Sequence, residues 1–542
     1  MAISRLSYSA ANLAIAEATP APRHIWIDQP RAIYVFTGAD MPELPRLSNV
    51  EIDLAALRDT LDARDRPPHS DLDVSTATCY VYKSGATYAN AQRYNEFTLF
   101  APVSNSTRDY FAALFSNSSA RSSAVLSLFA MFLARPGLSV PHGSCTRVGS
   151  WTNDVSTSSD SGGYRYSTTA GDTISASVTG STVGAFVFCA TNGGYAVVSI
   201  DGSYTAANLL PEFAATDYAN GLCRAEDVGR RYVQCYAASG RTDGFAFADN
   251  LSTGTHTVTI EVCGTKRAAA SAARVYVESI IGCASGDTIG TTNVKMLPVL
   301  EINNQASSWS AHEWVVEWAP AGSSDYQFIG DTHADGTLSK EVTTSWALYC
   351  DATDQTAMSA GTYQSASRIT IRHVSTVAHK ADLNTAVLTK NRTYTIASNR
   401  DLPLMVQCAV TWSATGNART EYPVMLPVGS TVNQLRTMSL PFTTVEIGGI
   451  VETLPKAFNN SAYKKRYGRD IVFASPQMEV FARLVSRWPD VGQLFGDFTA
   501  RHQDRTSLDA KGYVQTIAGA GPAYASGDVV MWTYGFGALR VF

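Results

Sequence analysis

Charge is scarce in this sequence. Asp, Glu, Lys and Arg make up 16% of the 542 residues, and the formal net charge is −5. Globular proteins usually carry about a quarter of charged residues. A weakly acidic chain offers no basic surface for a phosphate backbone or for an anionic lipid surface. We therefore expect no nucleic-acid partner.

Long apolar runs are lacking as well. A membrane-spanning helix needs about 18 or more consecutive apolar residues, and no such run occurs. The N-terminal sequence Met-Ala-Ile-Ser-Arg-Leu-Ser has neither the basic start nor the continuous apolar segment of a secretory signal. We therefore expect synthesis in a cytoplasm and no membrane insertion.

The usual motifs for metals and cofactors are also missing. The nine cysteines stand singly without any Cys-x-x-Cys pair, and Gly519-Ala-Gly521 lacks the Lys-Ser/Thr of a phosphate-binding loop. We therefore expect no metal and no cofactor. An odd number of cysteines cannot all pair within one chain, and free buried thiols are the commoner state. One alternative stays open, namely a single disulfide between two of the central cysteines. These are Cys189, Cys223, Cys235, Cys263 and Cys283.

What the sequence does contain is 45% hydrophobic residues beside abundant Ser, Thr, Gly and Ala. The length is too great for one core and indicates roughly three or four domains. Low charge with many small hydroxyl residues is typical of extended β proteins whose surfaces are buried in assemblies. The composition thus favours a mainly β, structural or binding protein.

The clearest pattern runs from Cys145 to Ser285. Apolar and small hydroxyl residues alternate there with a period near two, and glycine pairs such as Gly162-Gly163 and Gly193-Gly194 interrupt the runs. Alternation between turn residues is typical of antiparallel sandwiches. A polar but nearly uncharged surface suits neutral polymers, or copies of the same chain, better than acid–base chemistry.

Shifts in composition divide the chain into five segments. We expect a mainly β fold with tandem antiparallel, jelly-roll-like β-sandwich domains, a small helical N-terminal part and a mixed C-terminal segment. The segments are an extended attachment and oligomerisation region at 1–78, a strand and helix-pair segment at 79–144, a β-sandwich at 145–285, a second sandwich-like domain at 286–455 and a mixed α/β segment at 456–542. Short strands are predicted at Ile25-Trp-Ile and Ala32-Ile-Tyr-Val-Phe.

Helices are predicted in three parts of the chain. One covers 50–65 before Pro67-Pro68. A pair covers 107–115 and 118–135, where Val125, Leu128, Phe129, Phe132 and Leu133 form an apolar stripe at helical spacing. Another starts at Ser475-Pro476 and buries Met478, Phe481, Val485 and Trp488.

Two phrases suggest catalysis, and both are rejected. Asp160-Ser161-Gly162-Gly163 resembles the nucleophile phrase of chymotrypsin-like proteases, but Ser159 replaces the preceding glycine, and the histidine phrase Val377-Ala-His379 follows the serine instead of preceding it. Gly330-Asp331-Thr-His333 resembles the first phrase of metallophosphoesterases, but no further ligand phrases follow. A turn explains each phrase better, so we predict no catalytic residue.

Aromatic side chains near turns are the best ligand candidates, because their rings stack on the apolar face of a sugar. Most such residues in a sandwich belong to the core or to the sheet surface. The candidates in the first sandwich are Trp151, Tyr164, Tyr166, Tyr195 and Tyr204.

One phrase in this sandwich resembles a known family. Leu251-x-x-Gly254-x-His256-x-Val-x-Ile, followed by Arg274-Val-Tyr-Val-Glu-Ser-Ile, resembles the closing strands of galactose-binding-like β-sandwiches. The resemblance spans 145–285 and implies a jelly-roll domain of the kind found in carbohydrate-binding modules and phage tail proteins. Ligand residues of that family lie in variable loops, so the resemblance assigns none here.

The whole chain is similar in organisation to bacteriophage tail proteins that carry such domains. The resemblance implies a structural protein of the virion: a tail fibre, a spike or another receptor-binding component that adheres to host-surface polysaccharide. We expect contacts with other virion proteins and a homo-oligomer, with a trimer favoured, because weak sites gain from multivalency. Two alternatives stay open, namely a glycan-degrading depolymerase or esterase and a purely architectural capsid-decoration or baseplate protein.

Overall fold

The computed structural model separates into two compact units, one comprising 1–71 with 490–498 and the other 72–489 with 499–542. It describes residues 2–6, 23–28, 32–37, 78–84, 93–118, 125–155, 159, 161–237, 240–304, 313–331, 336–398, 402–429, 442–447, 450–454, 464–467, 470–488, 499–506, 509–518 and 521–541. In the first unit, β1 (Ala2–Leu6), β2 (Arg23–Asp28) and β3 (Ala32–Thr37) form an antiparallel sheet in the order β1-β3-β2. The two short strands predicted from the sequence are confirmed.

The first strands of the second unit include those of the central sandwich. They are β4 (Cys79–Lys83), β5 (Arg93–Pro102), β6 (Tyr110–Ser118), β7 (Val125–Pro141), β8 (Thr146–Val148), β9 (Thr152–Asp154), β10 (Tyr164–Ser167), β11 (Thr173–Thr179), β12 (Thr182–Cys189), β13 (Tyr195–Ile200), β14 (Tyr232–Gln234), β15 (Arg241–Ala248), β16 (Thr255–Val262), β17 (Val275–Cys283) and β18 (Val294–Asn304). The helices of the described residues are short: α1 (Ala215–Ala219) and 3₁₀ turns at His142–Ser144 and Ala225–Asp227.

Strands continue to the end of the chain. They are β19 (Glu313–Pro320), β20 (Gln327–Ile329), β21 (Ser339–Cys350), β22 (Thr353–Asp354), β23 (Thr362–Ala366), β24 (Arg368–His379), β25 (Asp382–Ala397), β26 (Leu404–Trp412), β27 (Gly416–Gly429), β28 (Thr444–Ile447), β29 (Ile450–Thr453), β30 (Lys464–Tyr467), β31 (Asp470–Ala474), β32 (Met478–Trp488), β33 (Thr499–Thr506), β34 (Asp509–Gln515), β35 (Ile517–Ala518), β36 (Ala523–Tyr524) and β37 (Val529–Arg540).

Four antiparallel sheets organise this second unit. An eleven-stranded sheet follows the order β15-β12-β17-β7-β6-β5-β4-β23, with β10 on β17, β9 on β10 and β18 on β7, and a five-stranded sheet follows β14-β13-β16-β11-β8. An eight-stranded sheet runs β20-β19-β27-β34-β33-β30, with β35 and β36 on β27, and a ten-stranded sheet runs β22-β21-β24-β25-β26-β37-β32-β31-β28-β29. The mainly β, antiparallel fold class is therefore confirmed, whereas the five-segment division stays a prediction.

The central sandwich forms where the five-stranded sheet faces the β15-β12-β17 end of the eleven-stranded sheet. Alternation places Val258, Ile260 and Val262 of β16 inward, opposite inward residues of β12 such as Val183 and Val187. These side chains are fully buried, as expected for strands with one face on a core. The period-two pattern of the sequence therefore corresponds to a real sandwich core.

The predicted helix pair at 107–115 and 118–135 is wrong, because the structure has strands β6 and β7 there. Strand β7 pairs with β6, β17 and β18, and its side chains from Leu126 to Ala134 are buried on both faces. A strand buried on both faces shows an unbroken apolar run instead of alternation, and such a run resembles a buried helix. The predicted helix at 50–65 lies outside the described residues.

The predicted helix after Ser475-Pro476 is also wrong. Ser475 and Pro476 form the turn of the β31–β32 hairpin, in which the Ser475 hydroxyl accepts the backbone N–H of Met478 at 3.1 Å. In β32 the inward residues alternate from Met478, and Trp488 is 57% exposed instead of buried. The described part of 456–542 therefore consists of strands, not of a mixed α/β segment.

A buried charged group, which we call the Arg135 network, joins distant parts of the second unit. Arg135 in β7 donates to Asp109 at 2.6 Å and to Asp249 at 2.5 Å. Arg540 of β37 also pairs with Asp249, and the hydroxyl of Thr182 donates to Asp249 at 2.7 Å. All five side chains are buried. The network ties the C-terminal strand to the central sandwich.

All nine cysteines are buried, and none is paired with another. Burial raises the pKa of Cys235 and of Cys283 to about 12.

No helix within the described ranges is both long and apolar enough to span a bilayer.

Candidate aromatic binding face

A row of three aromatic rings crosses the outer face of the central sandwich. Strand pairing sets Tyr166 of β10 opposite Tyr276 of β17, and Tyr276 opposite Phe188 of β12. Neighbouring Val275 and Val277 point into the core, so Tyr276 points outward. The ring centroids are 5.0 Å apart for Tyr166–Tyr276 and 5.5 Å apart for Phe188–Tyr276.

Tyr164 adds a fourth ring to this row. It lies two residues before Tyr166 on the same side of β10, and its ring is 4.9 Å from that of Phe188. Its hydroxyl lies 2.8 Å from the hydroxyl of Thr242. Tyr164 and Tyr276 are buried, whereas Tyr166 and Phe188 are half-buried. We call these four residues the aromatic face; buried rings support its two partly accessible ones.

Polar side chains form one margin of the aromatic face. Arg274 lies over the ring of Tyr166, with 4.8 Å between guanidinium carbon and ring centroid, and donates to the Tyr276 hydroxyl at 2.9 Å. The hydrogen bond to Tyr276 raises the pKa of Arg274. Asn192 donates to the same hydroxyl at 3.1 Å. Partly exposed rings beside fixed polar groups can stack on a sugar and hydrogen-bond its hydroxyls.

Only two of the five residues predicted from the sequence meet on this face, Tyr164 and Tyr166. Tyr195 lies on the five-stranded sheet, where its ring contacts Phe213 and Tyr232 at 5.6 Å each. Burial raises the pKa of Tyr195, as expected for a packed phenol. Tyr195 therefore packs within a second aromatic cluster, on the other sheet.

Tyr204 and Trp151 lie apart from the aromatic face as well. The Tyr204 hydroxyl donates to Glu261 at 3.1 Å, and the Arg230 guanidinium lies 4.3 Å from its ring centroid. Trp151 packs against the rim of the sandwich core, and its indole N–H donates to the Val148 carbonyl at 3.2 Å. Tyr204 and Trp151 therefore share no surface with the aromatic face, and a ligand role for them stays a prediction.

Sequence reasoning missed Phe188, Asn192, Arg274 and Tyr276. The phrase Arg274-Val-Tyr-Val-Glu contained the signal, because its alternation places Arg274 and Tyr276 on the face opposite the valines. The register that brings Tyr276 beside Tyr166 is a long-range property, however, and one sequence does not specify it.

The rejected serine phrase forms a compact polar contact next to the aromatic face. The Ser161 hydroxyl donates to Glu278 at 2.9 Å, and Lys295 donates to both Ser161 and Glu278, at 2.9 and 2.8 Å. A nucleophilic serine needs a base that takes its proton and donors for an oxyanion. Here the ammonium of Lys295 already neutralises the buried carboxylate of Glu278. We interpret the contact as an anchor of the turn at 161–163.

The phrase that resembles a metallophosphoesterase motif forms no metal site in the described structure. Asp331 is buried among charged side chains of β21 and β25, whereas His333 lies outside the described residues. Within the described ranges, no group of three or more His, Cys, Asp or Glu side chains could hold a metal ion.

Known families give no further guide to the aromatic face. No protein-family model matches this chain, and no curated protein matches it.

Proposed function

We propose that this chain is a structural protein of a bacteriophage particle whose central sandwich binds a neutral host-surface polysaccharide through the aromatic face. The observation that carries the proposal is the row Tyr166–Tyr276–Phe188 with Arg274 at its margin. Buried phenols, hydrogen bonds and the cation over the ring fix these groups before a ligand arrives, which lowers the entropy cost of binding.

The charge balance supports a neutral ligand. The carboxylate of Glu278 is neutralised by Lys295, and Arg274 lies over the Tyr166 ring of the face. A strongly anionic polymer would be expected to require several cations. A neutral sugar needs stacking surfaces and a few hydrogen-bond donors and acceptors, which rings, amide and guanidinium supply.

Adhesion would then depend on several copies of this face. A single shallow site with two partly accessible rings binds weakly, since one aromatic contact contributes about 0.5–1.5 kcal/mol. A homotrimer that presents three faces raises the avidity without any new contact. A tail-fibre, spike or other receptor-binding position fits such a multivalent adhesin.

Titration of the full chain with purified host polysaccharide tests this proposal. Replacing Tyr166 by Ala removes an accessible ring and is expected to weaken binding to one site about tenfold, the equivalent of about 1.4 kcal/mol. Tyr218 is a matched control, because it is 52% exposed and lies in α1, outside the aromatic face.

Unchanged affinity of Tyr166→Ala, or equal losses in both variants, would contradict the aromatic face as the binding surface. Absence of binding to any host polysaccharide would favour the architectural alternative. Release of reducing ends or acetate from the polymer would favour the enzymatic one.

A further inference from the structure

Four charged side chains lie together in the interior of the second unit. We call this group the ion quartet: Asp331, which follows β20, Glu341 of β21, and Lys390 and Arg392 of β25. Each side chain is at most 1% exposed. Buried charges of this kind are rare, and they persist only when each is paired.

The geometry places a primary amine on two carboxyl groups. Lys390 Nζ lies 3.1 Å from Asp331 Oδ1 and 2.9 Å from Glu341 Oε1. Arg392 Nη2 lies 3.0 Å from Asp331 Oδ1 and 3.3 Å from Glu341 Oε1. The ring of Trp314 lies 5.2 Å from Lys390 Nζ and contributes an apolar wall.

Asp331 is held in an unusual backbone conformation. Its φ is +42°, a left-handed value that non-glycine residues rarely adopt. Its carboxylate accepts a hydrogen bond from the backbone N–H of Trp314 at 2.5 Å. Its own backbone N–H donates to the Glu341 carboxylate at 2.7 Å. The fold therefore fixes the carboxyl group of Asp331 beside the amine of Lys390, and such fixed proximity strongly accelerates reactions between two groups.

The protonation states of the quartet can rearrange without a change in its net charge. Burial would lower the pKa of Arg392, but Asp331 and other neighbours raise it well above its ordinary value, so Arg392 keeps its proton. Lys390 can pass a proton to Asp331, which leaves a neutral amine and a neutral acid. Glu341 remains paired with Arg392 and accepts a hydrogen bond from the Ser375 hydroxyl at 2.6 Å. Burial favours this exchange, because it removes two buried charges.

We propose that Lys390 and Asp331 join in an isopeptide bond that forms autocatalytically in the folded chain. The Nζ lone pair attacks Asp331 Cγ, and the bond from Cγ to the protonated oxygen breaks. Glu341 takes a proton from Nζ and delivers it to the leaving hydroxyl, so one amide and one water are formed and nothing is oxidised or reduced. Arg392 stabilises the negative charge on the other Asp331 oxygen during the attack.

This bond would link two sheets covalently. Asp331 follows β20 of the eight-stranded sheet, and Lys390 lies in β25 of the ten-stranded sheet. A cross-link between 331 and 390 closes a long loop and restricts the unfolded chain, as a disulfide does. Unlike a disulfide, an amide persists under reducing conditions.

Intact-mass spectrometry of the full chain, purified without denaturant and then unfolded, tests the inference. The expected mass is lower than that of the sequence by one water. Cyclisation at an Asp–Gly sequence also releases one water, so proteolysis and tandem mass spectrometry must identify a branched peptide that joins 331 to 390. Glu341→Gln, which lacks the proton acceptor, is expected to keep the full mass.

Lys380→Met is the matched control, because Lys380 forms a surface pair with Asp325 at 2.8 Å and lies outside the quartet. This variant is expected to lose one water, as the natural chain does. A natural chain of full mass after prolonged incubation would overturn the inference whether or not the variants fold. A branch that maps to Glu341, or a water loss that persists in Lys390→Met, would overturn it equally.

Discussion

Removal of one charge from the buried Arg135 network should strongly destabilise the folded chain. Two arginines and two aspartates balance in charge, and Arg135 contacts both carboxylates. Arg135→Met keeps most of the side-chain volume but leaves the buried group with one uncompensated negative charge. Breaking a buried pair from one side costs about 3–5 kcal/mol, since the remaining charge stays desolvated. We expect a loss of that size in the free energy of unfolding.

The loss should also depend on pH in a defined direction. Burial tends to raise the pKa of Asp249, but Arg135, the Thr182 hydroxyl and Arg540 lower it below the ordinary value. In the natural chain Asp249 therefore contributes stability above its unfolded pKa, and this contribution is lost as the pH falls through the folded pKa. Without Arg135 the folded pKa of Asp249 rises, and the variant gains relative stability as the carboxyl group is protonated.

Urea unfolding followed by tryptophan fluorescence, at about pH 7 and about pH 5, measures both effects. Arg135→Met/Asp109→Asn keeps the Asp249–Arg540 pair, restores charge balance and should recover about 1–3 kcal/mol relative to the single variant. Arg368→Met is the control, because Arg368 is exposed. A loss below about 1 kcal/mol for Arg135→Met, or the same loss at both pH values, would refute the reasoning.

Three further predictions concern smaller features. Asp201 lies 2.7 Å from His256 and raises the pKa of His256, while His256 lowers the pKa of Asp201. The stability that this pair gives the folded chain should be largest between the two unfolded pKa values, of about 4 and 6.5. In His256→Asn the urea midpoint should therefore change less with pH. Ser161→Ala should cost about 1 kcal/mol in urea unfolding, but Lys295→Met about 3–5 kcal/mol because Glu278 loses its ion pair; equal losses would contradict this. The nine cysteines should not react with a thiol reagent in the native chain, and all nine should react in denaturant; fewer than nine would indicate a disulfide.

The fold class followed from the sequence because period-two alternation is a local property. In β16, Thr255–Val262, every second side chain is inward, and the sequence shows this directly. Strand β7, Val125–Pro141, is the opposite case, since it pairs with three strands and its side chains from Leu126 to Ala134 are buried on both faces. Its apolar spacing then fits a helix as well as a strand, and only the pairing partners decide.

The aromatic face was predicted in part for a related reason. Tyr164 and Tyr166 share one strand and so share a side, which alternation alone reveals. Their neighbours Phe188 and Tyr276 come from strands that pair with a specific register, 110 residues away in the case of Tyr276. The register depends on tertiary packing, so a single sequence predicted the type of side chain in the site but not its full composition.

The scarcity of charge gains a structural meaning from where the buried charges lie. Arg135 joins the eleven-stranded sheet to the C-terminal strand through Asp249 and Arg540, and the ion quartet joins the eight- and ten-stranded sheets. A third pair repeats the arrangement: Arg487 of β32 donates to Glu421 of β27 through two bonds of 3.1 Å, again between the ten- and eight-stranded sheets.

Apolar faces of large antiparallel sheets are similar to one another, so hydrophobic burial alone discriminates poorly between correct and shifted packings. A buried ion pair adds little net stability but makes every packing that leaves it unpaired costly. One such group lies between the eleven- and ten-stranded sheets and two lie between the eight- and ten-stranded sheets, so together they would select one arrangement of these three sheets. In the Arg135 network the charges act chiefly through specificity, and replacing all of its charged members by apolar residues should cost less than removing any single member.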